Sequence, residues 1–163
     1  MLRPLRQFLR LDRQRQRLFL EAWRALGSAR LALRSTPFKQ LVAELTLHRG
    51  PVEAPAVGPE ALADAKRIGW AVRAASGYTP WRSSCLVQVL AAQRMLQQRL
   101  LPGAIYIGTS YIGASLEEGP AEDASPATNS GLDAHAWLKC GEAFITGESG
   151  HQRYAVVTTF SWL

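Results

Sequence analysis

The sequence predicts an α+β fold, with helices as far as Leu101 and a small antiparallel sheet after it. Three observations carry that expectation. Apolar residues recur with helical spacing up to Leu101, the pattern changes after Pro102 and Gly103 to short β-branched and aromatic runs, and the most apolar helical run is headed by one cysteine, Cys85. A chain of 163 residues with 47% hydrophobic content has enough apolar side chains for one domain with a real core.

Residues 1–50 read as a basic helical segment. Pro4 suits a first helical turn, and Leu5, Phe8, Leu9, Leu18, Ala22, Trp23, Leu26 and Ala29 lie on roughly one stripe. That stripe predicts one long helix to about Leu33, or two broken near Gly27. A further helix is expected from Pro37, after the possible caps Ser35 and Thr36, through Phe38, Leu41, Val42 and Leu45 to His48, with Gly50 and Pro51 as its stop.

Ten arginines and one lysine against Asp12, Glu21 and Glu44 give this segment a charge of +8, which leaves −2 for the rest of a chain whose net charge is +6. A basic face of this kind suits an acidic partner, a membrane surface or nucleic acid, or is simply solvated. No recognised nucleic-acid motif accompanies it, so no nucleic-acid partner is expected. Asp12 to Arg17 interrupt any apolar run behind Arg3, Arg6 and Arg10, so neither a secretory signal nor a transmembrane segment is expected. Two cysteines, Cys85 and Cys140, make no disulfide framework, which points to a cytoplasmic location. With no zinc-type Cys/His spacing and no Gly-rich phosphate loop, neither metal nor cofactor is expected.

Residues 51–58, bounded by Pro51 and Pro59, read as a linker able to set the basic segment at a variable angle to a core spanning residues 59–163. Pro59 to Ser76 is a helix with Leu62, Ala65, Ile68, Val72 and Ala75 on one face and Gly77 at its end. Tyr78 to Arg82 is extended because Pro80 pushes its predecessor out of helical geometry, which sets Trp81 beside the thiol. Ser83 and Ser84 then offer caps for a central, nearly all-apolar helix from Cys85 to about Leu101. Strands are expected over Ala104 to Thr109, Ala134 to Lys139, Ala143 to Thr146 and Tyr154 to Phe160. The Gly113 to Gly131 insertion, rich in Gly, Pro, Ser and acids, is too long for a hairpin turn and reads as a mobile loop or a lid.

A thiol in a first helical turn meets the positive end of the dipole and unpaired N–H groups, which favour thiolate over thiol. The same position also suits a small buried hydrophobe. A cysteine nucleophile needs a base, and of His48, His135 and His151 the best placed is His135, inside Ala134-His135-Ala136-Trp137 on a strand whose small neighbours leave room for another group. Glu148, just past the next strand, is the expected carboxylate to orient that imidazole, with Asp133 on the same strand face as the competing orienter. Trp81, Ser84 and Trp137 are expected to line the site.

The local sequence resembles a known family at four places: Ser84-Cys85-Leu86-Val87-Gln88-Val89-Leu90-Ala91-Ala92-Gln93-Arg94-Met95-Leu96, Leu101-Pro102-Gly103-Ala104-Ile105-Tyr106-Ile107-Gly108, Ala134-His135-Ala136-Trp137-Leu138, and Thr146-Gly147-Glu148. Over residues 59 to 163 these are similar to the lasso peptide maturation proteases, the B-protein leader peptidases of papain-like, transglutaminase-like fold. The resemblance implies a Cys-bearing helix packed on a small antiparallel sheet, with Cys85 as nucleophile, His135 as base and Glu148 where the family normally has Asp. It implies a cysteine peptidase that removes the leader of a precursor peptide before a lasso cyclase closes the ring. Residues 1–50 lack the family's leader-recognition pattern, which implies the split form, with a separate leader-recognition protein. A transglutaminase-like acyltransferase, or a non-catalytic module that binds precursor or cyclase, remains open beside it.

Overall fold

Helices fill the first part of the chain because its apolar residues recur at helical spacing, and the strands follow the β-rich stretches after Gly103. The computed structural model describes residues 2–111 and 132–163, so the Gly113 to Gly131 insertion lies outside the described residues. The elements run α1 (Leu2–Leu9), α2 (Arg13–Ser35), α3 (Phe38–Leu41), β1 (Thr46–Arg49), α4 (Pro59–Ser76), α5 (Cys85–Gln97), β2 (Gly103–Tyr111), β3 (Leu132–Cys140), β4 (Ala143–Thr146) and β5 (Ala155–Trp162). The result is an α+β fold whose five-stranded antiparallel sheet has the order β1-β5-β2-β3-β4.

Two N-terminal expectations are corrected. The long helix breaks at Asp12, not Gly27: extended Asp12 caps α2 by accepting from the Arg15 amide at 2.9 Å, while the Gln16 side-chain amide donates to the carbonyls of Phe8 and Leu11. Gly27 lies inside an unbroken α2. The helix expected to reach His48 stops at Leu41, and Thr46–Arg49 instead pairs with β5, His48 opposite Thr159 and hydrogen-bonded through Nε2 to the Ser161 hydroxyl at 2.8 Å. The apolar spacing of Phe38, Leu41, Val42 and Leu45 says nothing of Thr46–Arg49, which pairs with the edge of β5.

One buried cluster joins Ala22, Leu26 and Ala29 of α2, Ile68 and Val72 of α4, the apolar residues of α5, and the inner sheet face at Ile105, Ala136, Leu138 and Ile145. Helix α5 is buried nearly all round, as its composition predicts. Residues 51–58 form no helix or strand, but they do not hang free. Tyr106 donates its hydroxyl proton to the Val52 carbonyl at 2.6 Å, Ala54 packs on the outer sheet face with Tyr106 and Trp137, and Thr159 holds the Gly50 carbonyl at 2.8 Å. Val42 and Leu45 of the basic segment, with Ala22, Leu26 and Ala29, lie in the same buried cluster as the residues of α4, α5 and the sheet. No described helix is long and apolar enough to cross a membrane.

Helix α4 reaches the sheet through Gly69, where an added Cβ would stand 2.7 Å from the Ile145 carbonyl oxygen of β4. Gly69→Ala should gain up to about 1 kcal/mol in helix propensity but lose about 1–3 kcal/mol to overpacking against backbone. Net destabilisation, read as a lower denaturant midpoint at constant slope, is the expected outcome. An unchanged or higher midpoint would mean that α4 and β4 can separate at little cost.

Candidate active site

Cys85 is the first residue of α5 and is half-buried. Ser84 occupies the N-cap position with extended backbone, yet its side chain makes no capping bond, and the Ser83 hydroxyl is engaged by Thr79 at 2.9 Å. The expected serine caps are thus absent, and the helix start is fixed instead by Gln88, whose side-chain amide donates to the Ser83 carbonyl at 3.0 Å. The first-turn N–H groups consequently have no competing partner from Ser84.

A cleft of about 360 Å³ is lined by Cys85 and Gln88 of α5, Arg73 of α4, His135 of β3, and Gly147, Glu148 and Ser149 beyond β4. It brings together three residues selected from sequence, Cys85, His135 and Glu148. His135 Nε2 lies 2.8 Å from the Gly147 carbonyl oxygen. A carbonyl only accepts, so Nε2 carries the proton, and in the neutral ring Nδ1 is left as the acceptor.

Glu148 therefore lines the cleft without being the hydrogen-bond partner of His135. The orienting atom is the backbone oxygen one residue earlier. Gly147 can supply it because its φ of +75° and its close approach to β3 both exclude a side chain: a Cβ would sit 2.5 Å from the Ala136 carbonyl oxygen and 2.7 Å from the Trp137 Cβ. His151 in turn secures this loop, its Nδ1–H donating to the Glu148 carbonyl at 2.6 Å.

Behind His135 stands an aromatic bed. Trp137 stacks on the imidazole with ring centroids 5.7 Å apart, Tyr154 lies 5.0 Å away, and Tyr106 stacks on the far side of Trp137 at 5.8 Å. Trp137 thus supports the base and does not line the cleft. Asp133 shares the His135 face, as alternation predicts, but its carboxylate accepts from the Tyr154 hydroxyl at 2.7 Å and so reaches His135 only through that ring. This hydrogen bond is the chief reason the Tyr154 hydroxyl holds its proton above the usual phenol range; burial and the Asp133 charge add to it, Arg153 opposes it, and charge on Cys85 also raises it.

Trp81 does not line the cleft either. It packs on Trp23 of α2 at 5.2 Å, with its indole N–H buried and without a hydrogen-bond partner. Cys140 is fully buried, and desolvation pushes its thiol above the ordinary cysteine range. Among the described residues no group of three or more His, Cys, Asp or Glu could hold a metal. Sequence reasoning missed Arg73, Gln88, Gly147, Ser149 and Tyr154. Gln88 had a usable signal, standing one helical turn after Cys85, and so did Gly147, a glycine directly after a strand; Arg73 and Tyr154 carried none.

A family model described as the transglutaminase-like superfamily matches residues 26–118. The match covers more than half of the chain, contains Cys85 and ends before His135. No curated protein and no solved structure matches.

Iodoacetamide at pH 8 should label Cys85 readily and leave Cys140 untouched until the chain unfolds, since burial both blocks Cys140 and disfavours its thiolate. Mass mapping of the labelled peptides checks this, and equal labelling of the two would contradict it. Gly147→Ala should displace the carbonyl that holds His135. Loss of the His135 imidazole N–H signal from slow exchange in NMR, in a variant that still folds, is the expected result; a signal unchanged from the parent would count against the carbonyl as orienter.

Proposed function

The chain belongs to the transglutaminase-like superfamily, and from that premise we propose that it is a cysteine peptidase that removes the leader from a ribosomally made lasso precursor before a partner cyclase closes the ring. The superfamily includes both cysteine peptidases and acyltransferases, generally cysteine-dependent enzymes. The observation that carries the reading is that Cys85 and His135 line one cleft, with His135 held through Nε2 so that Nδ1 is free to take the thiol proton. The Ala134-His135-Ala136-Trp137 strand and the Cys85 helix are the segments that support the narrower, leader-peptidase assignment.

In this mechanism Cys85 gives its proton to His135 Nδ1, and Sγ attacks the carbonyl carbon at the end of the leader. The tetrahedral oxyanion is stabilised by the uncapped Cys85 N–H. As the C–N bond breaks, the imidazolium returns the proton to the departing amine, and a thioester remains on Sγ. Water, deprotonated by His135, then hydrolyses the thioester and releases the leader acid and the free thiol. The Gly147 carbonyl fixes the ring through both proton transfers, while Glu148 contributes charge at the cleft wall. A separate leader-recognition protein and the cyclase are the partners this reading requires, in a cytoplasmic setting.

The acyltransferase reading shares every step up to the thioester, and the exposure of Arg73, Glu148 and Ser149 leaves the cleft open to an amine as well as to water. Incubating precursor, leader-recognition protein and this chain, with and without an added primary amine, separates the two by product mass. Hydrolysed leader supports the peptidase, and an amide of the leader supports the transferase. Cys85→Ala and His135→Ala should each abolish either product while preserving the fold, and an active, folded variant of either would refute the assignment. Since Glu148 does not hold His135, Glu148→Gln should lower turnover by about tenfold or less, well short of the ~10⁴-fold seen when an orienting carboxylate is lost. A loss near that larger figure would mean that the Glu148 carboxylate turns to His135 in the substrate complex. Asp133→Asn, acting through Tyr154, should have a still smaller effect on turnover.

A further inference from the structure

Outside the cleft, the chain presents an apolar groove of about 280 Å³ between α1, α2 and the end of α4, lined chiefly by Phe8, Leu11, Phe19, Trp70, Ala74 and Tyr78. Its walls are built by aromatic contacts, Phe8 on Phe19 at 5.4 Å and Phe19 on Tyr78 at 6.0 Å. Trp70 is shared with a neighbouring, mainly basic groove, where Arg15, Lys66 and Arg67 are exposed beside Asp12; Arg15 pairs with Asp12 at 3.6 Å and Arg67 with Asp64 at 2.6 Å, Lys66 forms no ion pair among the described residues, and the Arg15 guanidinium lies 5.5 Å from the Trp70 ring centre. Beyond these, Arg6, Arg10 and Arg13 are exposed and form no ion pair among the described residues.

These grooves lie along one helix that leads to the cleft. Lys66, Arg67, Trp70 and Ala74 recur on α4 at intervals of three and four, so they share a face, and Tyr78 follows at the helix end, seven residues before Cys85. Arg73, adjacent to Ala74, lines the cleft itself. From Lys66 to Ser76 the helix rises about 15 Å, a distance that about five extended residues span. One peptide can therefore lie on the basic groove and anchor in the apolar groove, along the helix whose Arg73 lines the cleft.

Building on the peptidase reading, we propose that this surface is an exosite for the substrate peptide, taking an apolar anchor next to a run of acidic residues. The apolar groove sets the first requirement, and charge complementarity with Arg15, Lys66, Arg67 and the surrounding unpaired arginines sets the second. A surface that includes neither Cys85 nor His135 governs affinity and not the chemical step, so its loss should appear in KM with kcat retained.

The test uses the full chain carrying Cys85→Ala, which measures binding without turnover, and a fluorescein-labelled synthetic peptide in which a Leu-Phe pair is followed by a run of glutamates. Fluorescence polarisation should show saturable binding that weakens with added salt. The double substitution Lys66→Glu with Arg67→Glu should weaken it by about tenfold or more. Phe8→Ala should do the same at high salt, where the apolar anchor remains. A matching peptide with lysines in place of glutamates should bind at least about tenfold more weakly.

Equal binding of the acidic and basic peptides, or parental affinity in the Lys66→Glu/Arg67→Glu chain, would overturn the proposal. Concentration-dependent dimerisation in sedimentation that Phe8→Ala abolishes, without peptide binding, would assign the groove to a second copy and overturn it as well. Because binding is read on a chain without the thiol, a verified exosite with no leader cleavage by the parent would refute the peptidase reading alone, and cleavage without exosite binding would refute the exosite alone.

Discussion

The 2.8 Å contact between His135 Nε2 and the Gly147 carbonyl is the constraint on which the cleft depends. It exists only because backbone can pass against backbone at that point: the Gly147 position leaves no space for a Cβ beside Ala136 and Trp137. The same economy of side chain recurs one layer away, where Gly69 lets α4 settle on the Ile145 carbonyl of β4. Helix, edge strand, loop and base are linked by these two close approaches, and α5 carries Cys85 into the space that remains.

Rigidity around the base comes from the outer face of the sheet. Gly108 stands opposite His135 and Tyr106 opposite Trp137, so a continuous aromatic surface forms beneath the imidazole. That surface is shielded from solvent by the 51–58 segment, pinned through Val52 and Ala54. A segment without helix or strand thereby contributes to the site by covering the sheet face that carries Trp137, keeping Trp137 buried at 4% exposure where a bare sheet face would leave it wet.

Charge is distributed with a similar division of labour. Among the described residues the ion pairs are local or join α2 to the turn after α5, as with Glu21 and Arg99 at 2.7 Å, and at about one-third exposure such a pair contributes modestly to stability. Most of the arginines in α1 and α2 are left facing water, while the cleft wall holds one basic and one acidic side chain, Arg73 and Glu148. The basicity of the chain thus lies mainly on the helical surface, and the cleft itself is electrostatically mixed.

By itself the sequence determined the α+β class, the all-round burial of α5, the extent of α4, the span of β4, and which cysteine and histidine stand in one cleft. These follow from period and composition, which act locally: 3.6-residue spacing and a small-flanked histidine on a strand are written in consecutive residues. Tertiary structure alone decided three further matters. Thr46–Arg49 became a strand where it pairs antiparallel with the edge of β5, a partner 109 or more residues away in the chain. Trp81 packs on Trp23 and against Gly27 of α2, where an aromatic partner and a glycine make room for the indole. The orienter of His135 became the carbonyl of Gly147, because a carboxylate is chosen from sequence by its chemistry, whereas a backbone oxygen is present at every residue and is selected only by where the folded chain places it.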